Sequence, residues 1–398
     1  MSEGTPIIRI AAKGDGLTDD GRHFAGAVTG DTVLTDSSIV PGPHHVSPPC
    51  SHFPNCGGCE LQHADDAALA EFVTSRVVDA ARGQGVEPTE VLPAHLSPPL
   101  SRRRATLHAL NGGSRPQIGF REGGSHRVVD MRECQILRSE IFALLEPLRT
   151  MLSRRKGKYA ADIALALVDQ GVDCDIKGLS MDGLEATESM LDFARDNGLA
   201  RLTIDLGYGP EPVWEPEPVT VTLSGVKVSF PSGSFLQATE DGEAVLVEQA
   251  QAWLEGSANV VDLFAGLGTF TFALAKGRKV TAAEAARDAY LACRLAAGCT
   301  GGAVEALHRD LFRNPLLPEE LAQFDAVLLD PPRAGAKEQV ARLAESSVRR
   351  VVYISCNPAS WARDTTRMVE GGYRLESVKP VGQFRWSTHV ELASLFVR

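Results

Sequence analysis

The sequence predicts an α/β protein with a parallel, doubly wound sheet in its C-terminal part. Two observations predict it. From Asp241 onward, short apolar runs alternate with helical stretches, the pattern of repeated strand–helix–strand units. Several of those runs also end in residues that carry chemistry: Asp262 to Gly268, Asp330-Pro331-Pro332-Arg333 and Cys356-Asn357-Pro358. In an open α/β sheet the ligand crevice lies outside the carboxyl ends of the strands, so these tips are the expected site.

The 398 residues are enough for two or three domains. With 43% hydrophobic and 23% charged residues, the composition is that of an ordinary globular protein. No apolar run is long enough to span a bilayer, so no membrane partner is expected. The N-terminus, Met1-Ser2-Glu3-Gly4-Thr5-Pro6, lacks the basic start and apolar core of a signal peptide. The expected location is therefore the cytoplasm, where the eight cysteines stay reduced and serve as ligands, nucleophile or buried side chains. The net charge is −11, yet residues 101–140 hold eight Arg against four acids. A local basic patch on an acidic protein fits a nucleic-acid partner.

Taken in order, residues 1–48 are Gly- and Asp-rich with short β-like runs at Ile7–Ile10 and Thr32–Leu34, a small β module. A Pro/His-rich linker, Pro41–Pro49, leads to Cys50-x5-Cys56-Gly57-Gly58-Cys59. The glycines let sulfurs converge on one metal, and Cys134 is the nearest downstream candidate for a fourth ligand. Spacing alone leaves zinc and an iron–sulfur cluster both open. Arg127–Asp130 reads as strand-like, Ser139–Leu152 as a helix, Asp162–Val168 and Leu202–Leu206 as strands, and Gly209–Pro218 as a connector. Val219–Val228 alternates like a hairpin. Beyond it come a helix (Gly242–Leu254), strands at Asn259–Leu263, Lys279–Ala282, Phe324–Leu329 and Arg349–Ile354, and a last strand near Glu391.

Asp262-x3-Gly266-x-Gly268 after a strand marks a nucleotide site, because glycines let the backbone approach a ligand closely. The third glycine of a pyrophosphate loop is missing, since Thr271 stands in its place, and the Asp262 carboxylate would repel a pyrophosphate. A cationic ligand fits better. Glu284, at the next strand tip, is placed for ribose hydroxyls. Together these point to S-adenosylmethionine, whose sulfonium is a cation. Arg333 stands after Asp330-Pro331-Pro332 where amine-directed methyltransferases carry an aromatic residue, so the exocyclic nitrogen of a base is not the expected target. Carbon 5 of a pyrimidine is too weakly nucleophilic to take a methyl unaided. A thiolate adding to carbon 6 makes carbon 5 an enolate carbon, and a base must later remove the carbon-5 proton. Cys356 is the candidate nucleophile and Glu391 the candidate base.

Those motifs, with Arg102-Arg103-Arg104 and Gly233-Ser234-Phe235-Leu236-Gln237, resemble the bacterial RNA (uracil-5-)-methyltransferase family, in particular its iron–sulfur 23S ribosomal RNA branch. The match runs in family order from about residue 50 to the end. The resemblance implies a C-terminal Rossmann-like methyltransferase domain (219–398), a central α+β domain carrying the cysteine site and a basic RNA-binding segment (49–218), and a short, truncated TRAM or OB-like module (1–48). It implies a [4Fe–4S] cluster on Cys50, Cys56, Cys59 and Cys134. It implies cofactor contacts at Gln237, Asp262, Phe264, Gly266, Thr269, Glu284, Asp310 and Asp330, with Phe235 against a flipped uracil. Arg102, Arg103 and Arg104 are the expected RNA contacts, and a monomer acting on 23S ribosomal RNA is the expected working unit. Transfer RNA as the target, or a catalytically silent RNA-binding assembly factor, are the alternatives.

Overall fold

The computed structural model describes residues 4–111, 115–155, 157–180 and 183–398. The first three residues of the expected N-terminal module lie outside the described residues. The rest of that module holds two small three-stranded sheets of two-residue strands, built on a core of Ile7, Ala27 and Val33.

The middle of the chain forms a six-stranded sheet in the order Gln117–Gly119, Arg104–Asn111, Tyr159–Val168, Gly171–Lys177, Arg201–Asp205, Pro210–Trp214. The inward residues alternate along the strands, as the two-residue period requires: Ala105, Leu107 and Ala109 are buried, as are Ala161, Ile163 and Leu165. Several expectations shift here. The single helix expected over Ser139–Leu152 is two, Ser139–Phe142 and Leu145–Ser153. The strand expected at 127–130 is one bridge, Arg121 to Val128, although Val129 N and Met131 N donate to Phe120 O and Ile118 O. The stretch read as a connector holds the edge strand Pro210–Trp214, where prolines are tolerated because an edge needs fewer donors.

The C-terminal sheet is doubly wound. Its strands lie in the order Val304–His308, Lys279–Glu284, Asn259–Leu263, Ala326–Leu329, Arg350–Ser355, Glu391–Val397, Arg374–Gly382. The first five are parallel, and Glu391–Val397 is antiparallel to both its neighbours. The order reverses between Asn259–Leu263 and Ala326–Leu329, the topological switch where ligands bind in such sheets. Because Glu391–Val397 runs backwards, its first residue lies at the same edge as the last residues of the parallel strands. Two short strands from before the expected boundary at 218, Glu90–Val91 and His95–Leu96, pair with Arg374–Gly382. The helix Asp66–Arg82, capped by Asp65 Oδ1 on Ala68 N at 2.8 Å, buries Leu69, Phe72 and Val73. Among the described residues no helix is long and apolar enough to cross a membrane.

Candidate active site

Cys356 comes directly after the strand Arg350–Ser355, and the turn that exposes it is built by its two successors. Asn357 caps the helix Pro358–Glu370, its Oδ1 accepting from Ala359 N at 3.2 Å. Pro358, lacking an N–H, opens that helix at no loss. The antiparallel register ends with Ser355 opposite Leu392, which brings the adjoining residues Cys356 and Glu391 to one edge of the sheet, and the Glu391 charge acts on the Cys356 thiol. Asn357 Nδ2 donates to Arg333 O at 2.9 Å, which ties the Asp330-Pro331-Pro332-Arg333 loop to the cysteine turn.

The electrostatics of this corner are those of acids gathered out of water. Burial pushes Glu391 up to about 7, with Gln383, Arg104 and Arg333 pulling it down. Burial raises Asp330 well above the usual carboxylate range, and the charges of Glu391 and Asp262 add to that. The Cys356 thiol is pushed up to about 11 by burial and then by Glu391 and Asp330, against Arg333. Asp262 is also pushed up to about 7, by burial first and then by Glu284. Its Oδ2 accepts from Thr271 Oγ1 at 2.5 Å, while Oδ1 has no hydrogen-bond partner among the described residues. Carboxyls so placed favour a cationic ligand, which would supply the missing positive charge.

The glycine turn supplies the rest of a nucleoside cradle. Gly268, at φ 98, begins the helix Thr269–Leu274, and a Cβ there would stand 2.5 Å from Phe272 Cε2. Phe264 adopts φ 66, unusual for a residue with a side chain. Its ring lies 5.4 Å from that of Phe312. Glu284 is pinned, Oε2 accepting from Gly266 N at 2.8 Å and Oε1 from Ala286 N at 2.6 Å. Asp310 Oδ1 accepts from Phe312 N at 3.0 Å and so sets that ring. Gln237 Oε1 accepts from Gln383 Nε2 at 3.1 Å, which joins this row to Glu391.

Three sequence-predicted arginines separate. Arg104 lies over the Phe235 ring at 4.5 Å and feels the charges of Glu391 and Cys356, so it is at the site. Arg103 is buried, donates to Gln237 O at 3.0 Å and pairs with Glu243 at 2.6 Å. Arg102 is enclosed between Phe120 and Phe384, with ring centroids at 5.4 and 5.2 Å. Arg103 as a phosphate contact is therefore corrected, because its guanidinium is committed inside the protein, whereas Arg102 is half-buried with its guanidinium held between two rings. The sequence reading missed Gln383, Phe312 and Phe384. None stands in a motif, and only the folded chain brings them to the site.

The four cysteines form a second site. Cys50, Cys56, Cys59 and Cys134 line one small cavity with Phe120 and Met131. Burial raises the Cys56, Cys59 and Cys134 thiols, Cys59 to about 12, and neighbouring cysteines add to each. No three His, Cys, Asp or Glu side chains close around a single ion among the described residues. The two glycines between Cys56 and Cys59 serve packing, since a Cβ on Gly57 would lie 2.6 Å from Arg121 O and one on Gly58 2.8 Å from Phe120 Cδ2.

Residues 294–398 match the family model described as tRNA (uracil-5-)-methyltransferase. An RNA methyltransferase of Zymomonas mobilis, itself described as uncharacterized, is 46% identical over 98% of this chain and 99% of its own length. The 23S rRNA (uracil(1939)-C(5))-methyltransferase of Pectobacterium atrosepticum is 31% identical over 96% of this chain and 85% of its own. The crystal structure of the Pyrococcus abyssi tRNA (uracil-54, C5)-methyltransferase with S-adenosyl-L-homocysteine covers 99% of this chain and all of its own, at TM-score 0.76 and 22% identity. That last likeness establishes the fold.

Proposed function

The chain belongs to the RNA (uracil-5-)-methyltransferase family, and from that premise we propose that it methylates carbon 5 of a uridine in RNA, 23S ribosomal RNA being the expected target, in the cytoplasm. The observation that carries the reading is one sheet edge that gathers the Cys356 thiol and a buried carboxyl, Glu391, which is raised to about 7 and whose charge acts on that thiol. S-adenosylmethionine, when bound, supplies the methyl group and a positive sulfonium, for which Asp262, Asp330 and Glu284 are the proposed neighbours.

Cys356 gives its proton to solvent water and its sulfur bonds to carbon 6, while the carbon 5–carbon 6 electron pair moves into an enolate on the ring. Carbon 5 then bonds the methyl as the methyl–sulfonium bond breaks, its electron pair staying on sulfur, so that S-adenosylhomocysteine is the leaving group. Glu391, ionised, takes the proton from carbon 5; the freed pair restores the double bond and expels the Cys356 thiolate. A group of about 7 is matched to that work near neutral pH. Phe235, more than half exposed and stacked with Arg104, offers a face for a base out of its stack.

We also propose that Cys50, Cys56, Cys59 and Cys134 hold a [4Fe–4S] cluster. Support comes from four thiols that line one cavity. The cluster would supply a four-point tie among distant segments, and no catalytic step passes through it. Transfer RNA stays as a second reading because the matching family model is described by that substrate. Mapping 5-methyluridine in 23S and transfer RNA with and without the gene tests both: loss from 23S RNA alone supports the first, loss from transfer RNA overturns it.

A further inference from the structure

The segment that delivers Glu391 has few bonds of its own, Ser387 N to Phe384 O at 2.9 Å and His389 N to Ser387 Oγ at 3.3 Å. Residues 383–390 connect the strands Arg374–Gly382 and Glu391–Val397 and form no regular structure. Within them Trp386 sits at φ 61, a left-handed conformation that disfavours any side chain. Such a conformation persists only where surroundings over-determine it. Part of those surroundings is Arg385, which lies over the Trp386 ring and is tied to Ser97 O and Asp66, and part is the loop that carries Cys56 and Cys59. Glu60 N donates to Trp386 O at 2.7 Å and Leu61 N donates to the same oxygen at 2.8 Å. Thr388 N donates to Glu60 Oε2 at 3.2 Å. From the other side Arg102 lies between Phe120, a wall of the cysteine cavity, and Phe384. Thr388 stands just three positions before Glu391, and across so short a span a shift at one end moves the other.

We propose that Glu60 is a positioning residue for Glu391: it joins the four-cysteine loop to the catalytic strand, so that the order of the cysteine site sets where the base stands. This rests on the reading of Glu391 as the base. Glu60 makes the side-chain part of the joint, and its neighbours Cys59 and Leu61 make it continuous with the cavity. The cysteine site thereby has a task in catalysis without entering any bond change.

The test uses the full chain with its metal site loaded. In Glu60→Ala, amide hydrogen exchange over residues 384–391 should become roughly tenfold faster or more, while the other sheets and the metal content stay as in the wild type. The resolution of the covalent protein–RNA adduct should slow roughly ten- to hundredfold, since an ångström of misplacement costs about that much. Glu60→Gln keeps an oxygen for Thr388 N and should restore most of both. Glu60→Asp, shorter by one methylene, should fall between and serves if the alanine variant folds poorly. Unchanged exchange in Glu60→Ala overturns the proposal, and so does faster exchange with unaltered adduct resolution. Glu391→Gln, measured alongside, keeps the premise separate: if that variant resolves its adduct normally, the base assignment fails whatever Glu60 does.

Discussion

The molecule holds two cysteine sites that share one property and differ in their company. At both, burial raises the thiol: Cys356 to about 11 and Cys59 to about 12. At Cys356 the neighbours are acids, Glu391 and Asp330, with Arg333 and Arg104 at the margin. At the other site the neighbours are thiols, which raise one another, and the enclosed Arg102. Thiols gathered at one cavity need positive charge between them to ionise together, which is the ground on which a metal centre is proposed there. A lone thiol among carboxyls is held neutral by burial and their charge, and under the proposed mechanism a bound cation would ease its ionisation. Burial thus sets both cysteines idle, and the charge of the neighbours decides what rouses each.

The sharpest way to break this comparison is to remove the lone thiol. Cys356→Ala should lower methyl transfer by on the order of 10⁴-fold or more, as loss of a nucleophile does elsewhere. S-adenosylhomocysteine binding, measured by calorimetry, should hardly change, because its proposed contacts lie on the earlier strands. The wild type should form a gel-stable complex with 5-fluorouridine RNA, since fluorine does not leave as a proton. Residual turnover in the alanine variant would remove Cys356 from the chemistry and leave both cysteine sites structural.

Next in size is Glu391. Glu391→Gln should still add to carbon 6 and methylate, yet release product slowly by about 10²- to 10⁴-fold, the usual worth of a general base. Its pH dependence has a definite sign. Burial raises the group to about 7, so it is mostly protonated at pH 6 and ionised at pH 8. A base works only when ionised; release should therefore rise with pH through about 7 and level off above it. A release rate flat from pH 6 to 8 would assign the carboxyl to structure.

At the four-cysteine site the expected effect is on stability and metal before activity. Cys134→Ser should lose iron, by elemental analysis, and unfold at lower temperature, because metal binding contributes folding free energy. A wild-type protein with one zinc and no iron would keep the site and overturn the cluster.

That Cys356, Glu391 and Asp330 come together was legible from residues because polar and reactive side chains cluster at strand tips. An apolar run leading into Cys356-Asn357-Pro358 is both a strand end and a helix start, and Asp262 to Gly268 is a strand, a turn and a cap. The cradle's second ring, Phe312, was not legible, because Asp310 sets it through a backbone contact that no spacing announces. The helix Asp66–Arg82 passed unnoticed because its apolar residues are diluted by alanine and charge, and packing against Pro358–Glu370 decides it. The arginine cluster misled for another reason. Composition counts charges and cannot tell a guanidinium facing water from one enclosed by two rings.

That last error leads to the smallest expected effect, on RNA affinity. Of the eight arginines in residues 101–140, the outward ones are the candidates for phosphate. The Arg127 and Arg132 side chains are 83% and 77% exposed, whereas that of Arg103 is 10% exposed. Their acidic partners Glu122 and Asp130 stand at 3.9 and 3.8 Å, long contacts that hold such exposed side chains weakly. A phosphate contact releases counterions, so each one contributes to the slope of affinity against salt, by about 0.7 on a single strand. Replacing Arg127 and Arg132 together by Ala should flatten that slope by roughly one to two units and weaken binding several-fold at low salt. The melting temperature should hold, because neither side chain is buried. Arg102→Ala should do the opposite. It empties a space between Phe120 and Phe384, so it should lower the melting temperature and leave the salt slope alone. If Arg102→Ala flattens the slope and the exposed pair does not, the enclosed arginine turns outward when RNA binds, and the four-cysteine site then lies in the RNA interface instead of behind it.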